Sequence, residues 1–147
     1  MPVIQEKINA LFIASDQRNW AEVEQCFSPN VLLDYSSMSG QPAAELTPAQ
    51  IVESWKTILP GFDATHHQLG NFRTRKQTAV ASAFCYGTAT HFLDNEKGSS
   101  WTVIGTYDFE LEKDGADWTI SKMTFHFRGQ SGNLELPALA MSRVSAR

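Results

Sequence analysis

The chain has 147 residues, 42% of them hydrophobic, with a formal net charge of -4 and only 12 Lys and Arg. This length supports one core and a single domain, and so few cations form no basic stripe for nucleic acid. No segment approaches the ~20 apolar residues a membrane span needs, and the N-terminus lacks a cationic leader with a long apolar stretch, so the expectation is a soluble cytoplasmic protein with no membrane partner.

From the N-terminus, Ile4, Ile8, Leu11 and Phe12 recur at helical spacing and predict a helix over 2–15. Asp16, four residues on from Phe12, falls on the same apolar face, and a carboxylate turned toward a core needs a partner. Asn19 followed by Glu22 is a capping-box pattern, so a second short helix starts there and ends before Ser28-Pro29. In "VLLDYSS" Val31, Leu33 and Tyr35 alternate with Leu32, Asp34 and Ser36, which predicts a strand over 31–37 with Tyr35 on its more apolar side. The stretch 36–46 has loop composition. A third helix opens at Thr47, with Pro48 in its first position and Gln50 closing the box. Its apolar face carries Ile51, Trp55, Ile58 and Leu59, and it stops at Pro60-Gly61.

Beyond Gly61 the period changes to two, and four strands follow: "ATHHQLGNFRT", "TAVASAFCYGTATHFL", "WTVIGTYDFELEKDG" and "WTISKMTFHFR". Helices first and consecutive strands after give an α+β fold, a strongly curved, mainly antiparallel sheet wrapped around the helices. In the second of these strands one face reads Ala81, Ala83, Cys85, Gly87, Ala89 and His91, and the other Val80, Phe84, Tyr86 and Phe92. A row of small residues leaves volume for either a closely packed helix or a ligand cavity ending at His91. The apolar phase shifts between Ile120 and Met123, which predicts a bulge. Apolar residues on the outer face, Ile104 with Phe84 or Phe92, would point to a homo-oligomer, a dimer or trimer. Residues 1–129 form the expected domain, and the tail 130–147 is either a lid over the cavity mouth or disordered.

Cys26 and Cys85 have no metal-ligand spacing and are expected as reduced core residues. No HxH, HExxH, GxGxxG, Walker loop or GxSxG elbow occurs, so neither a metal nor a cofactor is expected, and Ser-His-Asp catalysis has no support. Acid–base chemistry remains, carried by an inward carboxylate, inward histidines and a tyrosine. Adjacent His66 and His67 point to opposite faces of their strand, and the alternation alone does not choose between them. Trp20, Trp55, Phe84 and Phe109 are candidate apolar walls.

The segments "ASDQRNWAEVEQCFSPNVLLDY", "WKTIL", "THHQLGNF", "ATHFL" and "KDGADWTI", over residues 8–128, resemble the SnoaL-like branch of the cystatin-like superfamily named after nuclear transport factor 2. Within it the pattern is similar to that of the scytalone dehydratases. The resemblance implies a cone-shaped α+β barrel holding a small hydrophobic or polycyclic ligand. It places the catalytic aspartate on Asp16, a carbonyl-binding tyrosine on Tyr35, the proton-abstracting histidine on His67, with Thr65 and Gly70 in register, and a second histidine, which helps a hydroxyl leave, on His91. Asp16 would then face the apolar stripe because it orients His67. The sequence departs from the dehydratase pattern at Ser15, where that pattern has a tyrosine, and at Gly105 and Tyr107, where it has a serine and an asparagine that contact substrate. The implied activity is a cofactor-independent dehydratase on a small cyclic carbonyl compound with a different pocket lining. The rivals are an isomerase or cyclase using the same base, or a non-catalytic binding domain of the same fold.

Overall fold

The computed structural model describes residues 3–147. Helix α1 (Val3–Asp16) buries Ile4, Ile8, Leu11 and Phe12, the stripe its spacing predicts, together with Ala14 and Ser15; Pro2, the expected first residue, lies outside the described residues. Each of the larger of these side chains contributes about 1.5–3 kcal/mol by leaving water. The helix closes with paired bonds from Asn19 N to Ala14 O at 2.9 Å and Arg18 N to Ser15 O at 3.2 Å. This geometry puts Arg18 at φ 59°, a left-handed position that favours glycine and costs another residue about 1–2 kcal/mol.

Helix α2 (Trp20–Gln25) is capped by Asn19, whose side chain accepts from Glu22 N and donates to Glu22 Oε2. Strand β1 (Phe27–Asp34) begins earlier and ends sooner than the alternation predicts, and Tyr35 is the residue that caps a four-residue helix α3 (Ser36–Ser39). The expected loop thus holds α3 and a short strand β2 (Ala44–Leu46). Helix α4 (Pro48–Trp55) has the complete capping box, with Gln50 N on Thr47 Oγ1 at 3.2 Å and Thr47 N on Gln50 Oε1 at 2.9 Å. It ends at Trp55, so Ile58 and Leu59 lie beyond it, and the bonds from Thr57 N to Ser54 O and from Ile58 N to Trp55 O lead the chain into a 3-10 turn, Leu59–Gly61, that holds Pro60.

Strands β3 (Ala64–Lys76), β4 (Val80–Phe92), β5 (Ser100–Asp114) and β6 (Asp117–Gly132) form a meander, and the whole sheet runs β2-β1-β6-β5-β4-β3. All pairs are antiparallel except β1 with β6. The fold is therefore α+β with a mixed sheet, as the order of elements predicts. The β5–β6 register slips between Glu110 and Leu111, opposite Lys122 and Ile120, where the phase shift predicts a bulge. A further slip in β3 between Gly70 and Arg73 carries Asn71 at φ 54°.

Most of the tail is helical. Helix α5 (Leu136–Ser145) buries Leu136 and Ala140 and packs on the 3-10 turn from behind, so close that Gly61 has no room for a side chain against the Ala140 carbonyl. Arg143 donates to Gly61 O at 2.8 Å and to Asp63 Oδ1 at 2.9 Å. Both cysteines are free and buried, and burial pushes the thiols up, Cys26 to about 11 and Cys85 to about 12, so neither is a ready nucleophile. No helix among the described residues is long and apolar enough to cross a membrane.

Candidate active site

The small-residue row on β4 serves two ends. Ala81, Ala83 and Cys85 are buried in the core, whereas Gly87, Ala89 and His91 line a cavity of about 420 Å³ between the sheet and the helices. Gly87 is required there because a side chain on it would collide with the Tyr107 ring. The remaining walls are mostly apolar, among them Phe12, Trp55, Leu59, Phe62, Trp101 and Phe125.

Asp16 ends α1, where the helix carbonyls disfavour a negative charge. Three donors hold it instead. Thr65 Oγ1 donates to Oδ1 at 2.9 Å, His67 N to Oδ2 at 2.8 Å, and His67 Nδ1 lies 2.7 Å from Oδ1. Burial alone would raise the carboxyl, but the hydrogen bonds and charge of His67, with Thr65, hold it below the usual range. An ionised carboxylate only accepts, so the His67 ring carries a proton on Nδ1, and Nε2, free of that bond, is the atom at which the uncharged ring would take up a proton. The alternation that left His66 and His67 open is thereby resolved by geometry, with His67 on the cavity and His66 on the opposite face.

His91 is 6% exposed, stacked on Trp101 at 4.3 Å and tilted against Phe62 at 4.8 Å. Its Nδ1 lies 3.0 Å from Trp101 O, and a carbonyl can only accept. Burial lowers its pKa to about 4 against the opposing pull of that carbonyl. At neutral pH His91 is therefore an uncharged imidazole that offers Nε2 as an acceptor, which differs from the proton donor implied by the resemblance. The two imidazoles meet edge to face with centroids 6.2 Å apart.

Tyr35 enters from the end of β1, fixed by Ser37, whose hydroxyl donates to Phe125 O at 2.8 Å and accepts from Phe127 N at 2.9 Å. Burial pushes both Tyr35 and Tyr107 far up, and the two phenols interact with each other. Both remain protonated donors at any ordinary pH.

Tyr35, Trp55, His67, His91 and Tyr107 thus line one cavity, with Asp16 behind His67. Trp20, Phe84 and Gly105 are not. Trp20 is half-buried at the start of α2 and away from the cavity walls. Phe84 is on the outer face of β4, as strand parity with His91 requires. Gly105 points at the Phe125 ring and His126 carbonyl, which leave no space for a side chain. Phe109 is core. Two residues escape a reading by pattern, Thr65 and Arg18. Arg18 Nη1 donates to Thr65 Oγ1 at 2.8 Å and Ser15 O at 2.9 Å, and Nη2 to Leu59 O at 2.8 Å. The signal for Arg18 was its place two residues beyond a carboxylate at a helix end. Among the described residues no cluster of three or more His, Cys, Asp or Glu could hold a metal ion.

Residues 3–124 match the family model of the SnoaL-like domain. The chain belongs to the SnoaL-like family. No curated protein matches it. Solved structures share the SnoaL-like chain's fold at low identity. A Kribbella flavida protein is 19% identical, with a TM-score of 0.85 and 94% of each chain covered. A proposed scytalone dehydratase from Novosphingobium aromaticivorans is 15% identical, with a TM-score of 0.74, covering 89% of this chain and 85% of the other. A hexachlorocyclohexane dehydrochlorinase, LinA type 2, is 15% identical, with a TM-score of 0.75, covering 89% and 86%.

Proposed function

We propose that this SnoaL-like protein is a cofactor-independent acid–base enzyme, a hydro-lyase acting on a small, uncharged cyclic β-hydroxy ketone. The observation that carries the reading is the 2.7 Å contact of Asp16 with His67 on the wall of an apolar cavity. A binding module gains nothing from taking a carboxylate out of water to hold one imidazole tautomer, whereas a general base does. Two structural neighbours carry names for loss of water and of HCl, which are both eliminations.

In this mechanism the substrate carbonyl accepts from the Tyr35 hydroxyl, which Tyr107 supports. His67 Nε2 removes the proton from the carbon next to the carbonyl, and the electron pair moves onto the carbonyl oxygen as an enolate held by the phenol. Asp16 stabilises the imidazolium that forms. His67 then passes the same proton to the β-hydroxyl, the C–O bond breaks, the enolate reforms the ketone with a new C=C bond, and water leaves. His91 accepts a hydrogen bond from a second hydroxyl and orients the ring.

A second reading uses the same atoms. In a double-bond isomerase His67 returns its proton to carbon and no group leaves, so His91 again only accepts a hydrogen bond. A UV-absorbance assay on a panel of β-hydroxy cyclic ketones, including a naphthalenone polyol, tests the base. His67→Asn should lose turnover by about 10²–10⁴-fold while still binding the compounds. Turnover that survives this change sinks the assignment.

A further inference from the structure

The Thr65 hydroxyl has one proton and two lone pairs, and by itself it could rotate away from Asp16. It does not stand alone. The Arg18 guanidinium, 2.8 Å from Thr65 Oγ1, can donate but never accept, so the hydroxyl must accept from arginine and send its proton to Asp16 Oδ1 at 2.9 Å. Two donor paths therefore converge on Asp16 Oδ1, one from Arg18 through Thr65 and the other from His67 Nδ1–H. We infer that Arg18 and Thr65 are positioning residues for the base, a polarised donor chain that ends on Asp16 and fixes the rotation of its carboxylate, and through it the His67 ring.

Several observations converge on this. Neither residue lines the cavity, so neither is placed to touch substrate. Arg18 occupies a left-handed backbone position where glycine would relieve strain, so its side chain is what the position retains. The guanidinium is half-buried, and the Asp16 charge opposes the lowering that burial imposes on it. The same group ties down Ser15 O at the end of α1 and Leu59 O in the cavity wall, so the donor chain is anchored at both ends. The other titratable groups near Asp16 are His67 on β3, in direct contact, and His91 on β4 beyond it.

The inference rests on the reading of Asp16 and His67 as the base, but it is tested without turnover. In protein carrying ¹³C-carboxyl aspartate and ¹⁵N-histidine, the Asp16 titration and the low-field His67 Nδ1–H signal are followed in wild type, Thr65→Val, Thr65→Ser and Arg18→Gly. Thr65→Val and Arg18→Gly should move the Asp16 midpoint upward and broaden the Nδ1–H signal, and Thr65→Ser, which keeps the hydroxyl, should restore both. If Arg18→Gly does not fold, the Val and Ser pair decides alone. An Asp16 titration and ring proton unchanged in Thr65→Val overturn the proposal. With a turned-over ketone in hand, kcat should fall about 10–100-fold in Thr65→Val at constant KM, by analogy with groups that orient ligands from behind. Altered spectra with unaltered turnover would uphold the donor chain and refute His67 as the base instead.

Discussion

A carboxylate at the C-terminus of a helix opposes the helix dipole, and Asp16 withstands this only because every lone pair it turns inward has a donor. That tension was visible in the sequence, where Asp16 interrupts an apolar stripe. Arg18 was not visible in the same way, because its partners Thr65 and Leu59 lie more than forty residues away and only the folded chain brings them together. Tyr35 is the residue on which the carbonyl reading turns. In Tyr35→Phe the ring still packs on Phe125, from which its centroid is 5.7 Å, but the donor to the enolate oxygen is gone. Loss of such a donor should lower kcat about 10²–10³-fold with a smaller change in KM, measured by steady-state kinetics on the ketone panel. An unchanged kcat would remove Tyr35 from the mechanism.

Elements whose signals are local could be read directly. The Thr47–Gln50 box and the Asn19 cap depend on atoms three residues apart, and the bulge beside Ser121 betrays itself as a change of phase within one strand. Elements defined by what they touch could not. Helix α3 is one turn long and β2 three residues, too short for periodicity, and α5 is recognisable only once the 3-10 turn is there to receive it. That turn forms one cavity wall, with Arg18 holding Leu59 from the inside and α5 pressing from the outside. Gly61→Ala pushes a methyl group into the Ala140 carbonyl, and backbone cannot yield as a side-chain tip can. The expected loss is about 1–3 kcal/mol in urea unfolding, with faster amide exchange in α5 than in α1. Equal protection of both helices in the variant would mean that the contact is not what holds α5.

The whole molecule should weaken toward acid, and His91 sets the window. Its pKa is depressed from 6.5 to about 4, so its stabilisation is complete above 6.5 and is lost as pH falls through 4. The unfolded chain takes up that proton first, which costs the fold on the order of 3 kcal/mol by pH 4. Asp16, also depressed, adds its loss only below 3.8. Urea unfolding at pH 7 and pH 4 should show this drop in wild type and little of it in His91→Gln, which keeps a donor for Trp101 O but does not titrate. The fold class could be read before any coordinates, because helix-then-strand order is a property of the chain itself. The partner of Asp16 could not, since the alternation left His66 and His67 open and only the resemblance pointed to His67. The strand that closes the sheet is a different matter. Phe27 on β1 lies beside Ile120 on β6, in the one parallel pairing among the described residues. His67 and His91 sit on the β3–β4 hairpin and can meet early, whereas Tyr35, at the end of β1, waits for the last strand. In a refolding experiment the hairpin would therefore form first and carry both imidazoles, but activity would return only with the slow, long-range closure that delivers the tyrosine. On that reading, the proposed site of a nascent chain would be completed by the pairing of β1 with β6 rather than by collapse.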